Sequence, residues 1–287
     1  MIHNMEVRPS DIFVVTFPRS GTTWTQELVW LIANNLDYAK AKTIRLGKRF
    51  PFLEVSQGVD EKFFAKIIDE TEDEDKKKQL FNFAMEPSCT KVFAAASPRF
   101  IKSHLPISLL PPAMLDTAKV IYVARDPRDV AVSFFHMNNS LGRLATADFK
   151  IYWKYFLNGL THWGPYFPHV KEAWEKRNHP NILFLFYEEL SKDLATVVRR
   201  VAAFLGKSLN EEQITELCQH LEFDNFKKNN SVNGDYLRVS FLNSGNFQLI
   251  RNGKSGGWRS YFDEQMTREA EEWMSKNMRD TDFQFPC

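Results

Sequence analysis

The stretch Pro18-Arg19-Ser20-Gly21-Thr22-Thr23-Trp24 combines residue types that together bind anions. Gly21 permits a tight turn. Ser20, Thr22 and Thr23 supply hydroxyl donors, and Arg19 adds a fixed positive charge with a planar fork. Placed between a strand and a helix, such a turn aims backbone N–H groups outward, where the helix dipole favours negative charge. A plain helix cap would need one Ser or Thr. Arg-Ser-Gly-Thr-Thr directly behind an apolar run points to phosphate instead. The loop is not a Walker A motif, because Gly-x-x-x-x-Gly-Lys-[Ser/Thr] is absent. Gly253-Lys254-Ser255 is a decoy, since Gln248 occupies the earlier glycine position. ATP-dependent kinase or NTPase chemistry is therefore disfavoured. Other polar clusters are Lys102-Ser103-His104, Arg125-Asp126 and Tyr187-Glu188.

Each cluster follows an extended, apolar segment that could position it. Ile12–Phe17, Lys119–Ala124 and Ile182–Tyr187 are rich in apolar and β-branched residues and read as buried strands. Phe100-Ile101-Lys102 is a shorter one. Helical spacing takes over after each long strand: Trp24, Leu28, Leu31, Ile32 and Leu36 after the first, and a pattern opened by Pro127 after the second. A third pattern runs to Leu205, and a final helix is expected over Phe262–Met278. Alternating strands and helices predict an α/β fold, a central parallel sheet flanked by helices. Ligands then bind beyond the carboxyl ends of the strands, where all the polar clusters gather. The expectation is one domain over 1–287, with a P-loop-like strand–loop–helix phosphate site. The stretch from Asn243 to Trp258, rich in Gly, Asn and Ser, reads as a long functional loop. The charge run Thr71–Lys78 reads as a solvated helix start.

Bulk properties limit the partners. With 37 basic and 36 acidic residues the net charge is +1, so no global field draws the chain to nucleic acid or anionic membrane. The anion site must be local. No run approaches a membrane span, and the first residues do not resemble a signal peptide. The cysteines, Cys89, Cys218 and Cys287, are widely spaced, which favours a reducing, cytoplasmic setting over a disulfide framework or zinc site. The 25 phenylalanines are read mostly as core, with some lining an apolar pocket.

Phe17 to Trp24 resembles the signature loop of the cytosolic sulfotransferases, which use 3′-phosphoadenosine-5′-phosphosulfate (PAPS). The resemblance extends in order along the chain, from about Pro9 to Trp273. Arg49-Phe50-Pro51-Phe52-Leu53-Glu54 is similar to the substrate-loop motif, and Ile101-Lys102-Ser103-His104-Leu105-Pro106 to the catalytic segment. Val120 to Ser133 resembles the 3′-phosphate motif. Phe186-Tyr187-Glu188-Glu189 and Ile250 to Trp258 follow where the family has them.

The resemblance implies a role for each matching residue. Arg19, Ser20, Gly21, Thr22 and Thr23 would hold the 5′-phosphosulfate. Arg125, Ser133, Arg251, Asn252 and Gly253 would hold the 3′-phosphate, where arginine forks suit a dianion. Trp24, Tyr187 and Phe223 would pack around the adenine. His104 is the expected general base, since an imidazole with a pKa of about 6.5 can take a proton at neutral pH. Lys102, two residues earlier in an extended segment, would point the same way and offset charge on the sulfonate oxygens. Arg19 would also serve at the leaving phosphate. Phe52 and Met137, with His104, would contact a small hydrophobic acceptor bearing a hydroxyl, a phenol or an alcohol of the kind met in xenobiotic or hormone metabolism. No metal is expected.

The sequence also departs from the family pattern. Arg19 stands where most cytosolic members have lysine, although Golgi protein-tyrosine sulfotransferases resemble this arginine form. Asn252 replaces a basic residue, and Leu221 a small hydroxyl residue near the adenine. Few residues precede the first strand. The dimer motif Lys-x-x-x-Thr-Val-x-x-x-Glu is not found, leaving the oligomeric state open. Two further readings share the motifs. One is a low-turnover nucleotide- or lipophile-binding protein, motivated by Arg19. The other is a lyase-like variant that sulfonates an allylic alcohol and then eliminates sulfate.

Overall fold

The computed structural model describes residues 1–54, 68–69, 72–75, 77–78, 88–141, 143–144, 148–234, 249–251 and 253–286. The apolar runs form the strands β1 (Ile12–Thr16), β2 (Phe100–Ser103), β3 (Lys119–Ala124) and β4 (Ile182–Phe186). They pair in parallel in the order β2-β1-β3-β4. Their side chains are buried on both faces, which is why these runs are continuously apolar rather than alternating. Thr16 pairs with Val123, and Ala124 with Phe186, so the strands end together at one edge. The chain leaves β1 for β2 on one side and returns to β3 on the other. The crevice where ligands bind in such sheets therefore opens between the ends of β1 and β3.

Helices cover both faces. Against one face lie α1 (Thr22–Ala33), α6 (Leu194–Phe204) and α7 (Glu211–Leu221), burying Leu28, Leu31, Val198 and Leu217 on Val14, Ile121 and Leu185. Against the other lie α2 (Pro127–Ser140), α3 (Phe149–Leu157), α4 (Tyr166–Glu175) and α8 (Glu264–Met278), burying Phe134, Trp153, Phe167 and Ala270 near Phe13, Val15 and Tyr122. α5 (Tyr187–Lys192) follows β4 without a loop.

Element ends differ from the sequence reading for local reasons. The apolar spacing extended the first helix to Leu36, but it ends at Ala33. Asn35 and Leu36 have φ of 54° and 61°, and the Leu36 amide bonds back to the Leu31 carbonyl at 2.8 Å. That is a left-handed C-terminal cap, whose apolar residue packs on the helix without belonging to it. Tyr187 opens α5 instead of closing β4. The last helix begins at Glu264, where the Asp263 carboxylate accepts the Met266 N–H at 2.9 Å.

The outer side of β2 is covered by a short length of chain. The Leu53 amide donates to the Lys102 carbonyl at 2.8 Å, and the Lys102 amide to the Pro51 carbonyl at 2.9 Å. This bridge brings Phe52 alongside Lys102.

Candidate active site

The loop after β1 is fixed from below. Phe17 is fully buried, with the rings of Phe134, Phe156, Tyr166 and His169 around it at centroid distances of 5.0 to 6.3 Å. Arg19 takes a φ of 70°, unusual for a non-glycine residue, and Gly21 one of 94°. These left-handed residues turn the chain sharply into α1. Gly21 is also needed for space, because a Cβ there would lie 2.7 Å from Tyr187 Cδ2. The Thr22 hydroxyl lies 2.7 Å from that of Thr16. Ser20 Oγ is buried with no partner among the described residues.

Cations converge above this turn. Arg19 donates through Nε to Ser133 Oγ at 3.0 Å and through a terminal nitrogen to the Leu249 carbonyl at 3.0 Å. Its other terminal nitrogen meets Met137 Sδ at 3.6 Å. Arg125, at the end of β3, donates to the Arg19 carbonyl and to the Lys254 carbonyl, both at 3.1 Å, and lies 4.0 Å over the Tyr187 ring. Desolvation, with Arg125 and Arg251 nearby, lowers the Arg19 pKa to about 10. Arg19 still carries its charge at neutral pH, and mutual repulsion of this kind is relieved by an anion. Among the described residues, Arg125 Nε and Arg251 Nε are buried without partners, as is Ser20 Oγ. Arg125 and Arg251 line one cleft, and unbonded donors there fit a ligand that brings phosphate oxygens.

The segment 253–258 is tied down by one carboxylate. Asp129 on α2 accepts from the Gly256 amide at 2.6 Å and the Trp258 amide at 2.9 Å. Gly253 has a φ of 62°, and a Cβ there would fall 2.0 Å from Phe223 Cδ2. The decoy Gly253-Lys254-Ser255 is thus a clasped loop facing the turn after β1, with neither strand nor P-loop geometry. Trp24 meets Tyr187 at 5.9 Å and donates Nε1–H to the Leu221 carbonyl at 2.9 Å. With Phe223 these rings wall an aromatic slot beside the arginines.

His104 lies just past the end of β2, on the opposite side of the turn. Its Nδ1 is 2.8 Å from the Thr16 carbonyl oxygen. A carbonyl can only accept, so Nδ1 carries the proton and Nε2 keeps its lone pair. Burial, reinforced by Lys102, holds His104 well below the usual imidazole pKa, so it is neutral. Desolvation also pulls Lys102 down to about 8, with Glu54 opposing and Arg19 adding to the shift. Lys102 Nζ lies 4.2 Å over the Phe52 ring, and Phe52 stands edge-on to His104 at 5.1 Å. Glu54 accepts the His104 N–H at 2.5 Å and the Ser103 hydroxyl at 3.0 Å. Burial still raises its pKa to about 7.

One cavity of about 270 Å³ joins these parts. It is lined by Arg19, Gly21, Thr22, Thr23, Trp24, Phe52, Lys102, His104, Arg125, Ser133, Met137, Tyr187, Phe223, Arg251 and Gly253. Ser20, in the same turn, is fully buried. The sequence-derived site residues are thus brought together, except Asn252, which lies outside the described residues, as do most of 232–244 and much of 142–148. The sequence reading missed Trp163, whose φ is 62° and whose ring stands 5.6 Å from His104 in the same cavity. It also missed Thr16, Asp129 and His169. Glu54 sat in a quoted motif, and its acidity in an apolar stretch was the only available signal.

The chain is similar to proteins already known. A family model described as the sulfotransferase domain matches residues 9–282. Luciferin sulfotransferase of Photinus pyralis is 38% identical over 98% of this chain and 75% of its own length. Sulfotransferase 1C2 of Oryctolagus cuniculus is 32% identical over 99% of this chain and 88% of its own. Among solved structures, retinol dehydratase in complex with androsterone and inactive cofactor PAP superposes with a TM-score of 0.94 at 45% identity, covering 99% of this chain and 85% of that one. Mouse sulfotransferase SULT7A1 complexed with PAP gives 0.68 at 25% identity, covering 98% and 88%.

Proposed function

The chain belongs to the sulfotransferase family, and we propose that it moves the sulfonate of PAPS to the hydroxyl of a small hydrophobic acceptor. The observation that carries this is His104. Its tautomer is fixed by the Thr16 carbonyl, and its ring stands edge-on to Phe52 and Trp163 in the cavity that also holds the cationic turn. PAPS supplies an activated sulfonate and a good leaving group. The orphaned donors Ser20 Oγ, Arg125 Nε and Arg251 Nε match its phosphate oxygens. Arg125, Ser133, Arg251 and Gly253 would take the 3′-phosphate, and Arg19 with Thr22 and Thr23 the 5′ end.

His104 Nε2 takes the acceptor's hydroxyl proton as that oxygen bonds to sulfur. The bond from sulfur to the 5′-phosphate oxygen breaks, and its electron pair stays on 3′-phosphoadenosine-5′-phosphate (PAP). Lys102 and Arg19 face the charge that shifts during this in-line displacement. Phe52, Trp163 and Met137 favour an apolar acceptor, an alcohol of the retinol or androsterone kind. No helix among the described residues is long and apolar enough to cross a membrane. Cys89 and Cys218 are free thiols, which supports cytoplasmic residence as part of this reading.

Transfer of labelled sulfonate from PAPS to a panel of phenols and apolar alcohols tests the proposal. His104→Ala should lower kcat by roughly a hundredfold or more with little change in PAP affinity. Tight PAP binding with no transfer to any acceptor would refute it. A second reading is favoured by the likeness to retinol dehydratase. An allylic sulfate ester formed at the site could lose sulfate from one carbon and a proton from another, giving a dehydrated hydrocarbon. Product mass separates the two, since an accumulating sulfate ester excludes elimination.

A further inference from the structure

The base role requires His104 to hold still, yet it lies one residue beyond β2, where the ladder hydrogen bonds have stopped. Its N–H is taken by Glu54. Its carbonyl is taken from the other side by His169 on α4, with Nε2 at 2.9 Å. Because that carbonyl only accepts, His169 carries its proton on Nε2. Nδ1 is then the acceptor for the Tyr122 hydroxyl, 2.7 Å away. Tyr122 is fully buried on β3, an interior strand of the sheet. His169 is 2% exposed and packs edge-on to Phe17 at 5.5 Å. A directed chain of hydrogen bonds therefore runs from the sheet interior, through His169, to the backbone of His104.

We propose that His169, oriented by Tyr122, is a positioning residue that aims His104 at the acceptor. This inference rests on the reading of His104 as general base. His169 does not line the cavity, so it has no direct contact with substrates. Burial lowers its pKa to about 4, so it stays neutral and acts as a fixed donor.

The test compares His169→Phe, His169→Gln and Tyr122→Phe with wild type, using an acceptor that wild type sulfonates. Acceptor KM, kcat, PAP affinity and Tm are read for each. His169→Phe keeps a ring on Phe17 but loses both nitrogens, and should lower kcat roughly tenfold or more, as misplacement of a catalytic group does. Acceptor KM and PAP affinity should stay within about twofold. His169→Gln, which can still donate from its amide, should recover most of kcat. Tyr122→Phe deletes a single oxygen and should lower kcat about threefold with the same KM, which keeps the inference testable if His169→Phe does not fold. The inference is overturned if Tyr122→Phe keeps full kcat, if His169→Gln is no better than a folded His169→Phe, or if kcat falls only together with PAP affinity and Tm. His104→Ala distinguishes the underlying reading: wild-type kcat there removes the base role itself. An inactive His104→Ala beside fully active His169 and Tyr122 variants removes only the positioning role.

Discussion

Replacing Gly21 by Ala should damage the donor site through two separable effects. The first is conformational. Gly21 has a φ of 94°, and an L-residue in left-handed backbone costs about 1–2 kcal/mol. The second is steric. The new Cβ would stand 2.7 Å from Tyr187 Cδ2 and 3.2 Å from Cε2. Tyr187 has little room to retreat, being 5% exposed and stacked on Arg125 at 4.0 Å. Overpacking of this kind costs about 1–3 kcal/mol. The sum is about 2–5 kcal/mol. A chain of this size should then lose several degrees of Tm, at about 2–4 °C per kcal/mol. Any relaxation must move Tyr187, and with it Arg125, so PAP affinity should fall at least about tenfold, equivalent to 1.4 kcal/mol. Thermal unfolding and equilibrium titration with PAP measure both. Wild-type Tm together with wild-type PAP affinity would refute the claim that this turn is held at its packing limit.

Other outcomes follow from the charges. In the proposed mechanism Lys102 acts in its protonated form, so kcat/KM should decline as pH rises through about 8. Lys102→Arg should abolish that alkaline limb even if the maximum is lower, and an unmoved limb would exclude Lys102 as the titrating group. Glu54 has its folded pKa raised from 4.5 to about 7. The folded state therefore binds more protons than the unfolded state between these values, and stability is lost as pH rises through the window. Glu54→Gln keeps an acceptor for the His104 amide without the buried charge. It should raise Tm at pH 8 relative to wild type by more than at pH 5, and a pH-independent difference would count against this account. Arg19→Lys cannot reproduce the bonds to both Ser133 and Leu249. It should weaken PAP binding about tenfold, for loss of one charge-assisted bond of roughly 1.5 kcal/mol, and leave kcat equal or lower. A sharp rise in turnover would instead favour a binding protein of low activity.

The sheet and the tight turn after β1 were legible because their physics is local. Ile12 to Phe17 had to be buried, and Arg19 to Thr23 had no other use for so many donors beside one glycine. Lys102 and His104 were legible as a pair two residues apart, although the strand ends between them. What escaped the sequence depends on contacts between distant segments. His169 reads as an ordinary residue of an amphipathic helix, and its partner His104 lies 65 positions away. Asp129 reads as an acidic residue in a helix's first turn until the 256–258 amides are seen bonded to it. Trp163 follows no period at all. Its place is set by the turn between α3 and α4.

The bridge along β2 links acceptor choice to solubility. Residues 51–53 occupy hydrogen-bonding groups that β2 would otherwise present at the outer side of the sheet. Bare strand edges recruit other chains. The same few residues carry Phe52 to Lys102 and His104, so under the proposed function the acceptor wall would also guard against self-association. Substitutions that loosen this stretch to admit bulkier acceptors would uncover the edge at the same time. Selection for a broader acceptor range should therefore meet aggregation before it exhausts the space in the pocket, and variants that succeed should carry compensating charge or proline near Pro51.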